Sequence, residues 1–129
     1  MPTQSPFITI VIPFHNEKGN LHQLLPVLQL QIEQLPHSFE VLLVDDVSTD
    51  GSLEFVENFC NKKDGWRVLA LLERGGQTGC FREAFKEARG EFILRMDADL
   101  QDDPWDLRLF VESLEEGAEL VMGLRECRK

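Results

Sequence analysis

The residues best placed to do chemistry are carboxylates, and two of them, Asp97 and Asp99, stand one residue apart just after the apolar run Phe92-Ile93-Leu94. In extended chain, alternate side chains project to the same side. Two like charges held that close repel each other and raise a pKa unless a cation lies with them. Mg²⁺ or Mn²⁺ suits such a pair, because a hard divalent ion takes one or two carboxylates and completes its shell with substrate phosphates. Gln101 offers a neutral oxygen two residues further on. A solvated acidic turn that caps a helix explains Asp103 equally well. It does not explain Asp97, which closes an apolar strand.

A second acidic group, Asp45-Asp46, follows the run Val41-Leu42-Leu43-Val44 and precedes Ser48-Thr49-Asp50-Gly51. One of Ser48, Thr49 and Asp50 is expected to cap the next helix. That role leaves Asp45 and Asp46 over, and a carboxylate there can accept a hydrogen bond from a base N–H or a ribose hydroxyl. His15 stands beside Glu17 after the first apolar run. A lone histidine is more often a core or cap residue, and its place at the end of a strand raises its functional weight. The first loop, Pro13-Phe14-His15-Asn16-Glu17, lacks the glycine-rich turn of a dinucleotide-binding domain. The segment Gly75-Gly76-Gln77-Thr78-Gly79 is glycine-rich, but it follows the third run and lacks the lysine of a phosphate-binding loop.

Five strands are expected to position these residues: Phe7–Pro13, Phe39–Asp45, Trp66–Leu72, Glu91–Asp97 and Glu119–Gly123. Their near-continuous apolar, β-branched runs are those of strands buried on both faces. Between them the apolar spacing is helical. Leu21, Leu24, Leu25, Leu28 and Ile32 line a first helix, with Asn16 as its cap and Pro26 expected to kink or split it. Phe81, Ala84, Phe85 and Ala88 line a third helix, closed by Gly90. Leu107, Phe110, Val111 and Leu114 line a fourth, between Asp103-Pro104 and Gly117. Such alternation implies right-handed crossovers and a mostly parallel sheet with helices on both faces. Ligands of such α/β sheets bind beyond the carboxyl ends of the strands, where all the polar clusters above fall.

Composition narrows the partners. A chain of 129 residues has room for one domain. A formal net charge of −10 excludes nucleic acid and any polyphosphate held by charge alone. It allows one small anion if a metal ion supplies the positive charge. Cys60, Cys80 and Cys127 show no short metal-type spacing and read as reduced thiols of a cytoplasmic protein. No secretory leader or membrane-span pattern is present in the sequence as given.

Together, VIPFHNE, VLLVDDVSTDGS, RGGQTG and MDADLQDDP resemble, in order and spacing, the family 2 glycosyltransferases of the GT-A fold. The likeness runs from Phe7 to Lys129, and it is nearest to the branch that moves a sugar onto dolichyl or undecaprenyl phosphate. It implies a Rossmann-like nucleotide-sugar-binding domain that takes a UDP- or GDP-linked sugar. Pro13, His15 and Glu17 would cradle the nucleotide, and Val44 and Asp46 would contact base and ribose. Asp97 and Ala98 would lie against the ribose and diphosphate, with the metal on Asp99 and Gln101, and Arg125 near the donor phosphates. Many relatives carry an aromatic residue in place of His15, so base stacking there is expected to be weaker or pH-sensitive.

The resemblance also implies a longer parent protein with a lipid-phosphate acceptor, working at the cytoplasmic face of the membrane. On that reading residues 1–129 form one domain cut short before the acceptor-binding region. An edge left on a shortened sheet would make homo-oligomers a further expectation. Two other classes compete. One is a catalytically inactive nucleotide-binding or interaction module. The other is a receiver-like phosphoacceptor domain, disfavoured because its acidic pair follows the first strand and this one follows the second.

Overall fold

The computed structural model describes residues 8–98 together with Leu107, Val111 and Glu112. Four strands, β1 (Ile8–Phe14), β2 (Phe39–Asp45), β3 (Trp66–Ala70) and β4 (Phe92–Arg95), alternate with three helices, α1 (Lys18–Gln34), α2 (Ser52–Cys60) and α3 (Gly76–Glu87). The strands form one sheet in the order β3-β2-β1-β4, and every neighbouring pair is parallel. The chain therefore steps outward from β1 to β3 and returns to the other side of β1. This puts the switch point of the sheet between β1 and β4.

Alternation along β1 and β2 divides the core. Ile8, Ile10, Ile12, Val41 and Leu43 pack with the apolar faces of α1 and α2 and with Leu107 and Val111. On the other face Val11, Leu42 and Val44 meet Cys80 and Ala84 of α3. Leu107 and Val111 are helical and buried, as the spacing of the fourth helix requires. The expected strand Glu119–Gly123, and the rest of that fourth helix, lie outside the described residues.

Several local expectations are corrected. Helix α1 is not split at Pro26, which lies on its exposed face. There water can serve the carbonyl that loses its N–H partner. Asn16 does not cap α1; its backbone is left-handed (φ 54) and its side chain crosses to the β2–α2 loop. Gly90 does not close α3, which ends at Glu87 with Ala88 as cap. A Cβ on Gly90 would lie 2.6 Å from the Thr9 backbone nitrogen, so this glycine is required by close approach to β1. Of the expected strands, Trp66–Leu72 and Glu91–Asp97 are shorter than their apolar runs.

The amino-terminal edge of the sheet is closed by a buried ionic network. Glu40 accepts hydrogen bonds from the Thr9 hydroxyl (2.8 Å), the Arg89 N–H (2.8 Å) and the Arg67 guanidinium (3.0 Å). Burial alone would raise the Glu40 carboxyl, but these donors and the Arg67 charge outweigh it and hold it below its ordinary 4.5. The network joins β1, β2, β3 and the end of α3 on the side away from the loops that carry the polar clusters.

Candidate functional site

At the carboxyl edge a cavity of about 230 Å³ opens between the ends of β1, β2 and β4 and the start of α3. Its wall includes Pro13, His15, Glu17, Asp46, Asp97 and Ala98, six of the residues expected from sequence, together with Arg74 and Gln77. Val44 is not brought to it. That side chain is fully buried against α3, beneath the site. Asp99, Gln101 and Arg125 lie outside the described residues.

The floor is built by one carboxylate. Asp46, almost fully buried, accepts from the backbone N–H of Gly75 (2.8 Å) and Gly76 (3.1 Å) and from Arg74 Nε (3.0 Å). Left-handed backbone at Gly76 (φ 65) starts α3 at this point. The glycine-rich segment is thus the amino-terminal turn of a helix, tied down by an anion where its free N–H groups and dipole favour one. Burial alone would raise the Asp46 carboxyl. The Gly75 N–H, the Arg74 guanidinium and the Gly76 N–H outweigh it and hold the group below its ordinary 3.8.

The remaining loop is laced across the β1 and β2 ends. Asp45 accepts from the Ser48 N–H (3.1 Å), and Asp50 accepts from the Ser52 N–H (2.9 Å) at the start of α2. The cap of α2 is Gly51, without a side-chain cap bond, so none of the three residues expected there takes the cap position; Asp50 holds the first helical N–H from one residue earlier. Asn16 accepts from the Thr49 N–H (2.7 Å), and its own N–H donates to Ser48 Oγ (2.9 Å). Val47 is pushed into left-handed backbone (φ 59), where a β-branched residue is strained.

Asp97 and Ala98 follow β4 and are nearly buried. Asp97 makes an ion pair with Arg95 at 3.8 Å. Among the described residues no group of three or more His, Cys, Asp or Glu side chains is arranged to hold a metal ion. Asp97 is the described member of the expected metal set that reaches the cavity. The neighbouring Cys80 thiol is pushed up to about 11, by burial first and then by the Asp46 and Asp45 charges, so it is no nucleophile at neutral pH.

Arg74 is the lining residue that sequence reasoning passed over. It is the one cationic side chain among the described lining residues. Its signal was present: a cation directly before two glycines at a strand end in an acidic chain.

The profile of Glycosyl transferase family 2 matches residues 9–129. The chain belongs to that family. It is 35% identical over 124 residues to an undecaprenyl-phosphate 4-deoxy-4-formamido-L-arabinose transferase of Pseudomonas syringae pv. syringae, covering 95% of this chain and 37% of the relative. It is 34% identical over 130 residues to a dodecaprenyl-phosphate galacturonate synthase of Rhizobium johnstonii, covering 99% and 38%. The chain thus spans well under half the length of the curated relatives it matches. Among solved structures it resembles S. aureus TarS 1-349 in complex with UDP-GlcNAc, with TM-score 0.69 and 30% identity over 85% of this chain and 31% of that one. It also resembles a mannosyltransferase of Pyrobaculum calidifontis in complex with GDP-Man and Mn²⁺, with TM-score 0.71 and 25% identity over 92% and 34%. Its sheet is the Rossmann-like arrangement of GT-A glycosyltransferases.

Proposed function

We propose that this family 2 chain binds the nucleotide-diphosphate sugar of a polyprenyl-phosphate glycosyltransferase, in the cavity at the carboxyl edge of its sheet. The observation that carries the reading is the convergence of Pro13, His15, Glu17, Asp97 and Ala98, drawn from the β1 and β4 ends, on one cavity at the switch point. The likeness to polyprenyl-phosphate sugar transferases supports the class of acceptor.

The charges of the wall favour a divalent ion as part of the donor site. A diphosphate entering there meets Glu17, Asp46 and Asp97, while Arg74, the one described cation, is already paired with Asp46. An oxygen donor set of Asp97, Asp99 and Gln101 suits Mg²⁺ or Mn²⁺. When bound, the ion supplies neutralisation of the departing nucleoside diphosphate. The chain's own residues orient the donor: the α3 start, its Gly75 and Gly76 N–H groups held by Asp46, presents Arg74 and Gln77, and the β1 and β4 ends wall the sugar nucleotide from the core. A lipid-phosphate acceptor carries its own nucleophilic oxyanion at neutral pH, so the site needs no strong protein base. Such an acceptor is held in a membrane, with the cytoplasmic face proposed as the side on which the donor is met. Among the described residues no helix is long and apolar enough to cross one.

Calorimetric titration with UDP and with GDP, first with Mn²⁺ and then with EDTA, tests the reading. Binding of one nucleotide that disappears with EDTA is expected. Equal binding in both conditions removes the metal from the site, and no binding of either nucleotide removes the donor.

A further inference from the structure

The ring of His15 has its proton placed by its neighbours. Nδ1 lies 2.8 Å from the Asp46 carbonyl oxygen, which can only accept, so Nδ1 carries a hydrogen. Nε2 lies 3.1 Å from Arg74 Nη1, which can only donate. A second donor faces the same nitrogen. Asn16 Nδ2 is 3.3 Å away, and that amide cannot be turned over because its oxygen already accepts from the Thr49 N–H at 2.7 Å. Together the contacts fit one species: the carbonyl requires a hydrogen on Nδ1, and the two donors require Nε2 bare, which is neutral imidazole protonated on Nδ1.

We propose that His15, in this tautomer, is a positioning residue that holds the Arg74 guanidinium at the mouth of the donor cavity. Arg74 is more than half exposed, with a side-chain accessibility of 57%, and is fixed at two points. Asp46 Oδ2 takes its Nε and His15 Nε2 takes its Nη1. With Asp46 alone the guanidinium can swing about that one bond. With both partners, its remaining N–H groups stay directed at the cavity. A second proton on His15 would set an N–H against the Arg74 and Asn16 donors and release Arg74. The charged side chains that line the cavity with His15 are Glu17 before α1, Asp46 after β2, Arg74 before α3 and Asp97 after β4. Asp46 is matched by Arg74, Gly75 and Gly76.

The binding consequence rests on the proposed donor site, whereas the tautomer does not, so the experiment has two arms. In a long-range ¹⁵N–¹H correlation spectrum of the histidine-labelled chain at neutral pH, the His15 ring, assigned by its loss in His15→Phe, should show a protonated Nδ1 and a bare Nε2. A proton on Nε2 overturns the inference, whatever the nucleotide does. In the second arm, UDP and GDP are titrated with Mn²⁺ into the wild type, His15→Phe, Arg74→Ala and the double variant. His15→Phe keeps a ring for stacking but has no acceptor, and it should lose about tenfold in affinity. The double variant should bind no worse than Arg74→Ala. Wild-type affinity in His15→Phe, or losses that multiply in the double variant, would show that His15 does not act through Arg74. If the wild type binds neither nucleotide, the proposed function fails and the ring spectrum alone judges the positioning role.

Discussion

Replacing Asp46 by Asn separates two roles that the same residue could fill. As a ligand contact, Asp46 would matter to nucleotide binding and little to folding. The structure instead commits its carboxylate to the Gly75 and Gly76 N–H groups and to Arg74 Nε. Asn keeps one acceptor oxygen and turns an NH₂ towards the other donors, so one backbone N–H loses its partner and the ion pair disappears. A hydrogen bond to a charged acceptor contributes about 1.5–3 kcal/mol, and a buried donor left over costs about 1–3 kcal/mol. The Arg74 pair adds at most about 1 kcal/mol, because Arg74 is more than half exposed. The expected loss is about 3 kcal/mol. With a urea m value of about 2 kcal/mol/M, the unfolding midpoint should fall by roughly 1.5 M.

The pH dependence has a definite sign. The folded Asp46 carboxyl is held below its ordinary 3.8, so its contribution is fully present above that value. It is lost as the pH falls through the lower folded value. The difference in stability between wild type and Asp46→Asn should therefore be flat above about pH 5 and shrink below the ordinary carboxylate range. An unchanged midpoint with weakened nucleotide binding would refute the reasoning and return Asp46 to the ligand.

Other substitutions probe other parts of the account. Glu40→Gln, in the network at the far edge of the sheet, should cost about 2 kcal/mol in urea unfolding, by replacing a charged acceptor of the Thr9, Arg89 and Arg67 donors while Arg67 keeps Glu87, and should leave nucleotide affinity unchanged. Val47→Gly should raise the unfolding free energy by about 1 kcal/mol, because it relieves left-handed backbone at a side chain outside both apolar clusters. Asp99→Asn should abolish the EDTA-sensitive part of nucleotide binding with the fold intact by circular dichroism. Asp103→Asn should not, since Asn caps a helix about as well as Asp.

What the sequence revealed follows from the range of the forces involved. The β2 span was read to the residue, because an apolar run between Pro36-His37-Ser38 and Asp45-Asp46 has the length and β-branched character of a buried parallel strand. The cavity's composition was legible for a related reason. Parallel strands bring their carboxyl ends to one edge, so polar clusters after β1, β2 and β4 had to converge. The start of α3 was not legible, since Gly75-Gly76 reads locally as loop. Only Asp46, about thirty residues earlier, makes it a helix terminus. Gly90 was misassigned in the same way: its reason is the Thr9 backbone on a strand eighty residues away, which no local pattern contains. Arg74 and His15 were each visible as residue types, while their contact joins loops separated by the whole of α1, β2, α2 and β3.

The most direct test of the central claim is the map of amide shifts when UDP or GDP is added with Mg²⁺ to the ¹⁵N-labelled chain. The account predicts that the largest changes fall at the carboxyl edge, on His15, Glu17, Gly75, Gly76, Gln77, Asp97 and Ala98, while Thr9, Glu40, Arg67 and Arg89 stay still. Changes centred on that opposite edge, or saturable changes at neither, would contradict a nucleotide-sugar site at the switch point.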